Sequence, residues 1–351
     1  MQREPLVSVI IPLYNRVDLI HETLQSVISQ IYNNWEAVIV DDGSTDGSFE
    51  LVQEIAKTEP RIKLFRREQE PKGAPACRNI GLIQSEGALI LYLDSDDLLS
   101  KDGIKKITSI IDENPDYEAY VLQTGVFYDV PYDTCRVWNY LAAKENDLVR
   151  FLKEDPPWGT TATCWRRKTI EKLNGFDQDA LCYQDWELHI RALLSGVKIW
   201  KAPDSRNFIT SFHRIYKSGS HDISSNTKKE KYLISKFETY KKLHQKIEAI
   251  EPINNDKNIK QELSRLFLRL ANHFYLVGDY GRHLRTITYI YEKGLISIQE
   301  RPLLSYISYL HQKNIYKFTL LRIPNRFIEH FLRHKKYFEH QSTFCQAVLN
   351  D

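Results

Sequence analysis

The sequence predicts an α/β protein in which a mostly parallel sheet, flanked by helices, fills the first two-thirds and an all-helical extension follows. Three patterns carry that reading. Short apolar, β-branched runs alternate with stretches of helical periodicity, as in βαβ units. The runs are apolar at nearly every position, which fits strands covered by helices on both faces. From about residue 226 onward only helical spacing is left.

Taken in order, residues 6–13, 35–40, 62–65 and 88–93 read as strands. Between them Ile20, Leu24, Val27, Ile28 and Ile31 mark one apolar helical stripe, Phe49, Val52, Ile55 and Ala56 a second, and Ile104, Ile107 and Ile111 a third. After about residue 115 the pattern is mixed. A helix over 166–174 stops at Gly175 and another over 185–195 at Gly196, each glycine suited to a left-handed cap. Further on, Leu263, Leu266, Phe267, Leu270, Ala271 and Phe274 fall three and four apart on one helical face, and residues 277–281 read as the turn into another helix. The expected domains are 1–225, α/β, and 226–351, helical.

Composition sets the outer limits. With 351 residues, 42% hydrophobic and 27% charged, the chain can bury an ordinary core. Basic and acidic residues, 48 against 46, nearly cancel, so no global field points to nucleic acid as a partner. The five cysteines are odd in number and form no CxxC pair, which argues against a disulfide framework or structural zinc. The apolar run at 6–13 is too short for a signal peptide, and no stretch is long enough to span a bilayer. The expectation is a soluble, cytoplasmic protein, able to lie against the inner face of a membrane.

In open α/β sheets ligands bind at the carboxyl ends of the strands. Here those ends carry Pro12-Leu13-Tyr14-Asn15, Asp41-Asp42-Gly43-Ser44-Thr45-Asp46 and Asp94-Ser95-Asp96-Asp97. If the extended backbone persists past the last strand, Asp94 and Asp96 project the same way, and two such carboxylates suit Mg²⁺ or Mn²⁺ with sites left for phosphate oxygens. A bland reading is a solvated turn with Asp97 capping the next helix. The Asp41–Asp42 pair can accept from a base N–H or a ribose hydroxyl, and alternation does not decide which of the two faces a base; the bland reading is a capped turn with Ser44 or Asp46 as N-cap of the helix through Phe49, and the two readings are compatible. Gly73-Ala74-Pro75 opens a helix whose Arg78 can reach a diphosphate. No GxGxxG or GxxxxGK[ST] is present, so dinucleotide and P-loop chemistry lose their main support.

Ser8-Val9-Ile10-Ile11-Pro12-Leu13-Tyr14-Asn15, Val40 to Asp46, Gly73 with Arg78-Asn79-Ile80-Gly81, and Leu93-Asp94-Ser95-Asp96-Asp97 together resemble the family 2 inverting glycosyltransferases of the GT-A fold, in order and spacing. The resemblance covers about residues 6–224. It implies a nucleotide-sugar donor, UDP-linked, bound around Pro12, Tyr14, Asn15, Asp41, Asp42, Arg78, Asp94 and Ser95, with the metal, Mn²⁺ or Mg²⁺, at Asp94 and Asp96. Gln184-Asp185-Trp186-Glu187 resembles the family's acceptor-side pattern, which makes Asp185 the catalytic base; the usual acid one place earlier is Gln184 here. Asp97, Trp158 and Trp186 are assigned to the acceptor side. In the segment 212–221, His213 or His221 is offered to the metal and Arg214 or Lys217 to the diphosphate, and Tyr216 stands where the family often has histidine.

The implied reaction is a single in-line displacement: Asp185 takes the proton of an acceptor hydroxyl on a glycan or lipid-linked acceptor, and the cation balances charge on the departing diphosphate. A nucleotidyltransferase lacks support because its Gly-rich, Lys-bearing loop is missing. A catalytically silent sugar-binding or scaffolding protein on the same fold is the alternative, to which Gln184 lends weight. Near the end, Phe327, Ile328, Phe331 and Leu332 fall at helical spacing among Arg322, Arg326, Arg333, His334, Lys335 and Lys336. Packing on the core is the default for such a stripe; anionic headgroups or a second copy of the chain in a dimer are the other partners it suits.

Overall fold

The computed structural model describes residues 4–142, 144–216, 230–296 and 347–348. In chain order the elements are β1 (Val7–Leu13), α1 (Ile20–Ile28), β2 (Trp35–Asp41), α2 (Ser48–Thr58), β3 (Ile62–Arg66), α3 (Ala74–Gln84), β4 (Leu89–Tyr92), β5 (Leu98–Leu99) and α4 (Gly103–Glu113). Then come β6 (Ala119–Val121), β7 (Gln123–Phe127), β8 (Arg136–Val137), α5 (Asp147–Leu152), β9 (Thr163–Arg166), α6 (Arg167–Lys172), α7 (Gln184–Leu194), β10 (Ile199–Lys201) and β11 (Ile209–Arg214). Last are α8 (Glu230–Glu248), α9 (Glu251–Asn254), α10 (Lys257–Leu276), α11 (Tyr280–Glu292) and β12 (Ala347–Val348). The chain divides into two compact units, Met1–Asn146 with Pro156–His221 and Cys345–Asp351, and Asp147–Asp155 with Asp222–Phe344.

The α/β unit is built on a seven-stranded sheet in the order β10-β6-β9-β4-β1-β2-β3. β1 pairs in parallel with β2 and β4, and β2 with β3, while β9 runs antiparallel between β4 and β6. Every residue of β1 and β2 is buried, as the continuous apolar runs required. Their side chains alternate between two cores. Val7, Val9, Ile11, Ala37 and Ile39 join the stripe of α1 and the Ile104–Ile107 face of α4 on one side. Ile10, Val38 and Val40 meet Cys77 and Leu82 of α3 and Leu188 and Ala192 of α7 on the other. Each such fully buried Val, Leu or Ile contributes about 1.5–3 kcal/mol, so the central strands are where this unit's stability concentrates.

The parallel arrangement brings the loops after β1, β2, β3 and β4 to one edge. A second, five-stranded sheet, β12-β8-β7-β11-β5, completes that edge. β5 follows Asp97 directly and runs antiparallel to β11 with Leu98 opposite Phe212. One further step of that register sets His213 against Asp97.

The helical unit buries one face each of α8, α10 and α11, including Tyr240, Leu243, Phe267, Leu270, Phe274 and Ile290. Asp256 caps α10 by accepting from the Asn258 and Ile259 amides, and Asp279 caps α11 by accepting from Arg282. Two features depart from the expected 226–351 division. Residues 147–155 belong to the helical unit, because Arg269 of α10 donates to the Glu154 carboxylate at 2.7 Å and to the Leu152 carbonyl at 2.8 Å. The region past 226 is not helix throughout, since Ala347–Val348 pairs antiparallel with β8. The basic, apolar stripe of residues 320–336 lies outside the described residues. Among the described residues no helix is long and apolar enough to cross a membrane.

Candidate active site

On the donor side the loops after β1 and β2 hold each other. Asn15, in the left-handed region at φ 50°, accepts from the Thr45 amide at 2.9 Å and donates its own amide to Ser44 Oγ at 3.0 Å. Pro12 ends inside buried β1, and Tyr14 is left 56% exposed at the rim. Asp41 is wholly buried and accepts from the Gly43 and Ser44 amides at 3.0 and 3.1 Å and from Arg66 Nε at 3.3 Å. Asp41 thereby holds the turn after β2, while the N-cap of α2 is Gly47 rather than Ser44 or Asp46. Asp42 accepts from the Gly73 amide at 3.0 Å and from Arg67, an ion pair almost closed to solvent. Motif reading missed Arg67; its place just past β3, at the same sheet edge, was the available signal.

Asp94 and Asp96 do not continue the strand. Extended backbone ends at Tyr92, and a turn closes when the Asp97 amide donates to the Asp94 carbonyl at 3.0 Å. The two carboxylates accordingly meet different partners. Asp94 accepts from Arg78 at 2.5 Å, and the same guanidinium donates to Gln184 Oε1 at 2.9 Å. Asp96 accepts from the Tyr216 hydroxyl at 2.8 Å, with Arg16 Nε at 3.6 Å. Burial, then the neighbouring Asp97 and Asp94 charges, push the Asp96 carboxyl above its ordinary range against Tyr216 and Arg16. Ser95 between them is buried. Arg16 and Tyr216 were not singled out as site residues by sequence.

Asp97, assigned to the acceptor side, faces inward instead. It is 0% exposed and accepts from the Arg214 amide at 3.0 Å, the Thr161 hydroxyl at 3.0 Å and His213 Nδ1 at 3.1 Å. A carboxylate this fully engaged pins three elements to one point. Burial lowers the His213 pKa, but the Asp97 ion pair and the Asp96 and Asp94 charges outweigh it and raise it to about 9. Arg214 reaches the Asp96 carbonyl at 3.1 Å and Glu22 at 2.5 Å rather than pointing out of the site. His221 and Lys217 lie outside the described residues.

Asp185 stands in the first turn of α7, with Oδ1 accepting from the Trp186 amide at 2.9 Å. Burial raises its pKa, opposed mainly by Arg78. The helix is aimed by the loop before it. Gly175 has φ 63°, and a Cβ there would stand 2.4 Å from Asn79 Oδ1. That close approach lets Asn79 of α3 clamp the Phe176 amide and carbonyl at 2.8 and 2.9 Å. Arg78, the next residue back, sits over the Phe176 ring at 5.0 Å. Trp158 and Trp186 are only 1% and 4% exposed, so both act as core: Trp158 packs edge-on to His189 and Trp186 against Tyr183. Gly159 is bordered by both Asp185 and Trp138, since a Cβ built on it would stand 3.7 Å from Asp185 Oδ2 and 3.9 Å from Trp138 Cε2 and Cζ2; nothing in the local sequence of Trp138 signalled that.

Residues 8–171 match the family model for Glycosyl transferase family 2. These residues form a family 2 glycosyltransferase domain. Over 103 residues the chain is 44% identical to the putative teichuronic acid biosynthesis glycosyltransferase TuaG of Bacillus subtilis, covering 29% of this chain and 40% of that protein. An uncharacterised glycosyltransferase of Rickettsia felis is 44% identical over 108 residues, 31% of this chain and 17% of its own. The chain thus spans less than half the length of these curated relatives. Among solved structures, S. aureus TarS 1–349 in complex with UDP-GlcNAc superposes with TM-score 0.61 at 20% identity, covering 88% of this chain and 89% of that one. The mannosyltransferase PcManGT of Pyrobaculum calidifontis, in complex with GDP-Man and Mn²⁺, gives 0.50 at 20% identity over 91% and 84%. At that identity the likeness establishes the fold, and the family 2 domain has the GT-A architecture.

Proposed function

We propose that the family 2 domain transfers a sugar, with inversion, from a UDP-sugar to a hydroxyl of a glycan or lipid-linked acceptor in polysaccharide synthesis on the cytoplasmic side. The observation that carries this is the single guanidinium of Arg78 joining Asp94 to Gln184, the residue beside Asp185. One cation thereby fixes the base candidate relative to the carboxylates of the donor edge.

In this reading Asp185 accepts the acceptor hydroxyl proton, the acceptor oxygen bonds to the anomeric carbon, and the C1–O bond to the diphosphate breaks with its electron pair leaving on UDP. Burial of Asp185 suits a carboxylate that must hold a proton transiently. Arg78 and Arg16 orient the acidic edge. The donor set suits a divalent cation: Asp94 and Asp96 are hard oxygen donors, and burial together with the Asp97 and Asp94 charges raises the Asp96 pKa, a cost that a bound cation would offset. Asp94 and Asp96 would hold it; among the described residues no third histidine, cysteine or carboxylate joins them in a metal-binding group, and His213 is engaged with Asp97 through Nδ1. When bound, such an ion neutralises charge on the leaving diphosphate. The silent sugar-binding alternative has one observation in its favour, the neutral Gln184 beside the base.

The test is UDP release from UDP-GlcNAc, UDP-glucose and UDP-galactose with Mn²⁺ and an acceptor panel. Asp185→Asn is expected to lower turnover about 10²–10⁴-fold while UDP affinity stays within twofold. Equal turnover in the variant would remove Asp185 as the base, and UDP binding without release in the wild type would favour the silent reading.

A further inference from the structure

The acceptor-side residues suggested by sequence are buried, which leaves open what an acceptor touches. Gly159 supplies a lead. Its backbone, at φ −109° and ψ −172°, is extended and accessible to any residue, so conformational freedom does not explain the glycine. An added Cβ would meet no clash either. Its nearest neighbours would be Asp185 Oδ2 at 3.7 Å and Trp138 Cε2 and Cζ2 at 3.9 Å, ordinary contact distances. The side-chain position that the glycine leaves unfilled is therefore bordered by the base candidate and an indole.

Both neighbours are fixed. Trp138 donates its backbone amide to Thr124 at 2.9 Å, and its ring meets His213 edge-on, centroids 4.9 Å apart. His213 is in turn held by Asp97, which also accepts from Thr161, two residues past Gly159. Trp138 is partly exposed, unlike Trp158 and Trp186. An aromatic face beside a carboxylate is suited to a sugar ring, which offers apolar C–H groups to one and a hydroxyl to the other.

We propose that Gly159, Trp138 and Asp185 form the acceptor subsite, that it takes a sugar ring laid on the Trp138 indole with one hydroxyl at Asp185, and that Gly159 is glycine to keep that space open. This rests on the glycosyltransferase reading above. It makes Trp138 and Gly159 determinants of acceptor binding with no part in holding the donor.

Saturation-transfer NMR on the full chain with UDP and Mn²⁺ tests it, using the methyl glycosides of glucose, galactose and N-acetylglucosamine as probes. In the wild type at least one glycoside receives saturation. Gly159→Ala and Trp138→Ala are each expected to weaken that signal about tenfold or more, with UDP saturation unchanged and Trp138→Phe retaining most of the glycoside signal. Gly159→Ala is the deciding variant, since its methyl meets only ordinary contacts and the fold accommodates it; an unchanged melting temperature verifies this. A glycoside signal in Gly159→Ala equal to wild type overturns the proposal, as does a wild type that binds UDP and none of the glycosides. A wild type that fails to bind UDP refutes the UDP-sugar reading above, on which the acceptor subsite rests.

Discussion

Arg78 connects groups from three parts of the chain, and its surroundings decide how the site titrates. Asp185 lies half-buried near it, and desolvation, with Asp94 as a further negative charge, holds the carboxyl above its ordinary value against the pull of Arg78. As the proposed general base Asp185 must be ionised, and activity is expected to fall as pH drops through that raised value. Gln184→Glu places another negative charge beside the same guanidinium and is expected to move the acid limb of kcat to higher pH. A kcat profile measured under saturating donor checks this; an acid limb that stays put in the variant would detach it from Asp185. At this scale the sequence named residues and could not give their geometry. Motif and strand context singled out Asp41, Asp94 and Asp96, and the family resemblance Asp185. That Asp94 and Asp96 would sit in a turn with different partners was not legible, because the turn after Tyr92 depends on the Asp97 amide finding the Asp94 carbonyl. Trp138 was illegible because it and Asp185, far apart in the chain, border the same glycine, Gly159.

Among the elements, α7 carries the proposed base, Asp185, with His189 one turn further on. His189 is buried among aromatics, stacked on Trp165 at 5.9 Å with Thr163 Oγ1 at 3.3 Å from Nε2. Burial pushes its pKa down to about 3. The folded state therefore resists a proton that the unfolded chain accepts near pH 6.5. Stability from this group is complete above that value and is lost as pH falls from about 6.5 toward 3, with a slope approaching about 1.4 kcal/mol per pH unit. Urea unfolding at pH 7 and pH 5 measures it, and His189→Phe is expected to flatten that part of the dependence. An identical slope in the variant would place the acid sensitivity elsewhere. The elements themselves were largely legible: β1, β2, β3 and β4 fall within a residue or two of their apolar runs, and α7 gives out just before left-handed Gly196 as expected, whereas α6 ends at Lys172, short of Gly175, with Asn174 already left-handed. The second sheet was not, because β5, β8 and β12 are two residues each and carry no period to detect.

For the molecule as a whole, all six tryptophans, at 35, 138, 158, 165, 186 and 200, fall in the α/β unit, so indole emission follows that unit alone. UDP with Mn²⁺ is expected to raise its unfolding free energy by about 2.7 kcal/mol at a hundredfold excess over Kd, and EDTA to remove most of the gain. The same gain in EDTA would dissociate donor binding from a cation at Asp94 and Asp96. The two units also cross one another in chain order: residues 147–155 of the helical unit are made before α7, and residues 345–351 of the α/β unit come after every helix. During synthesis the ribosome delivers the chain from the amino end. Glu154 must therefore wait for Arg269, more than a hundred residues behind it, and the edge of β8 stays open until Ala347 and Val348 arrive. A nascent chain stalled near residue 225 would hold the main sheet and Asp185 while its Glu154 has not yet met Arg269 and a strand edge is uncovered, the kind of surface that is prone to aggregate before the chain is finished.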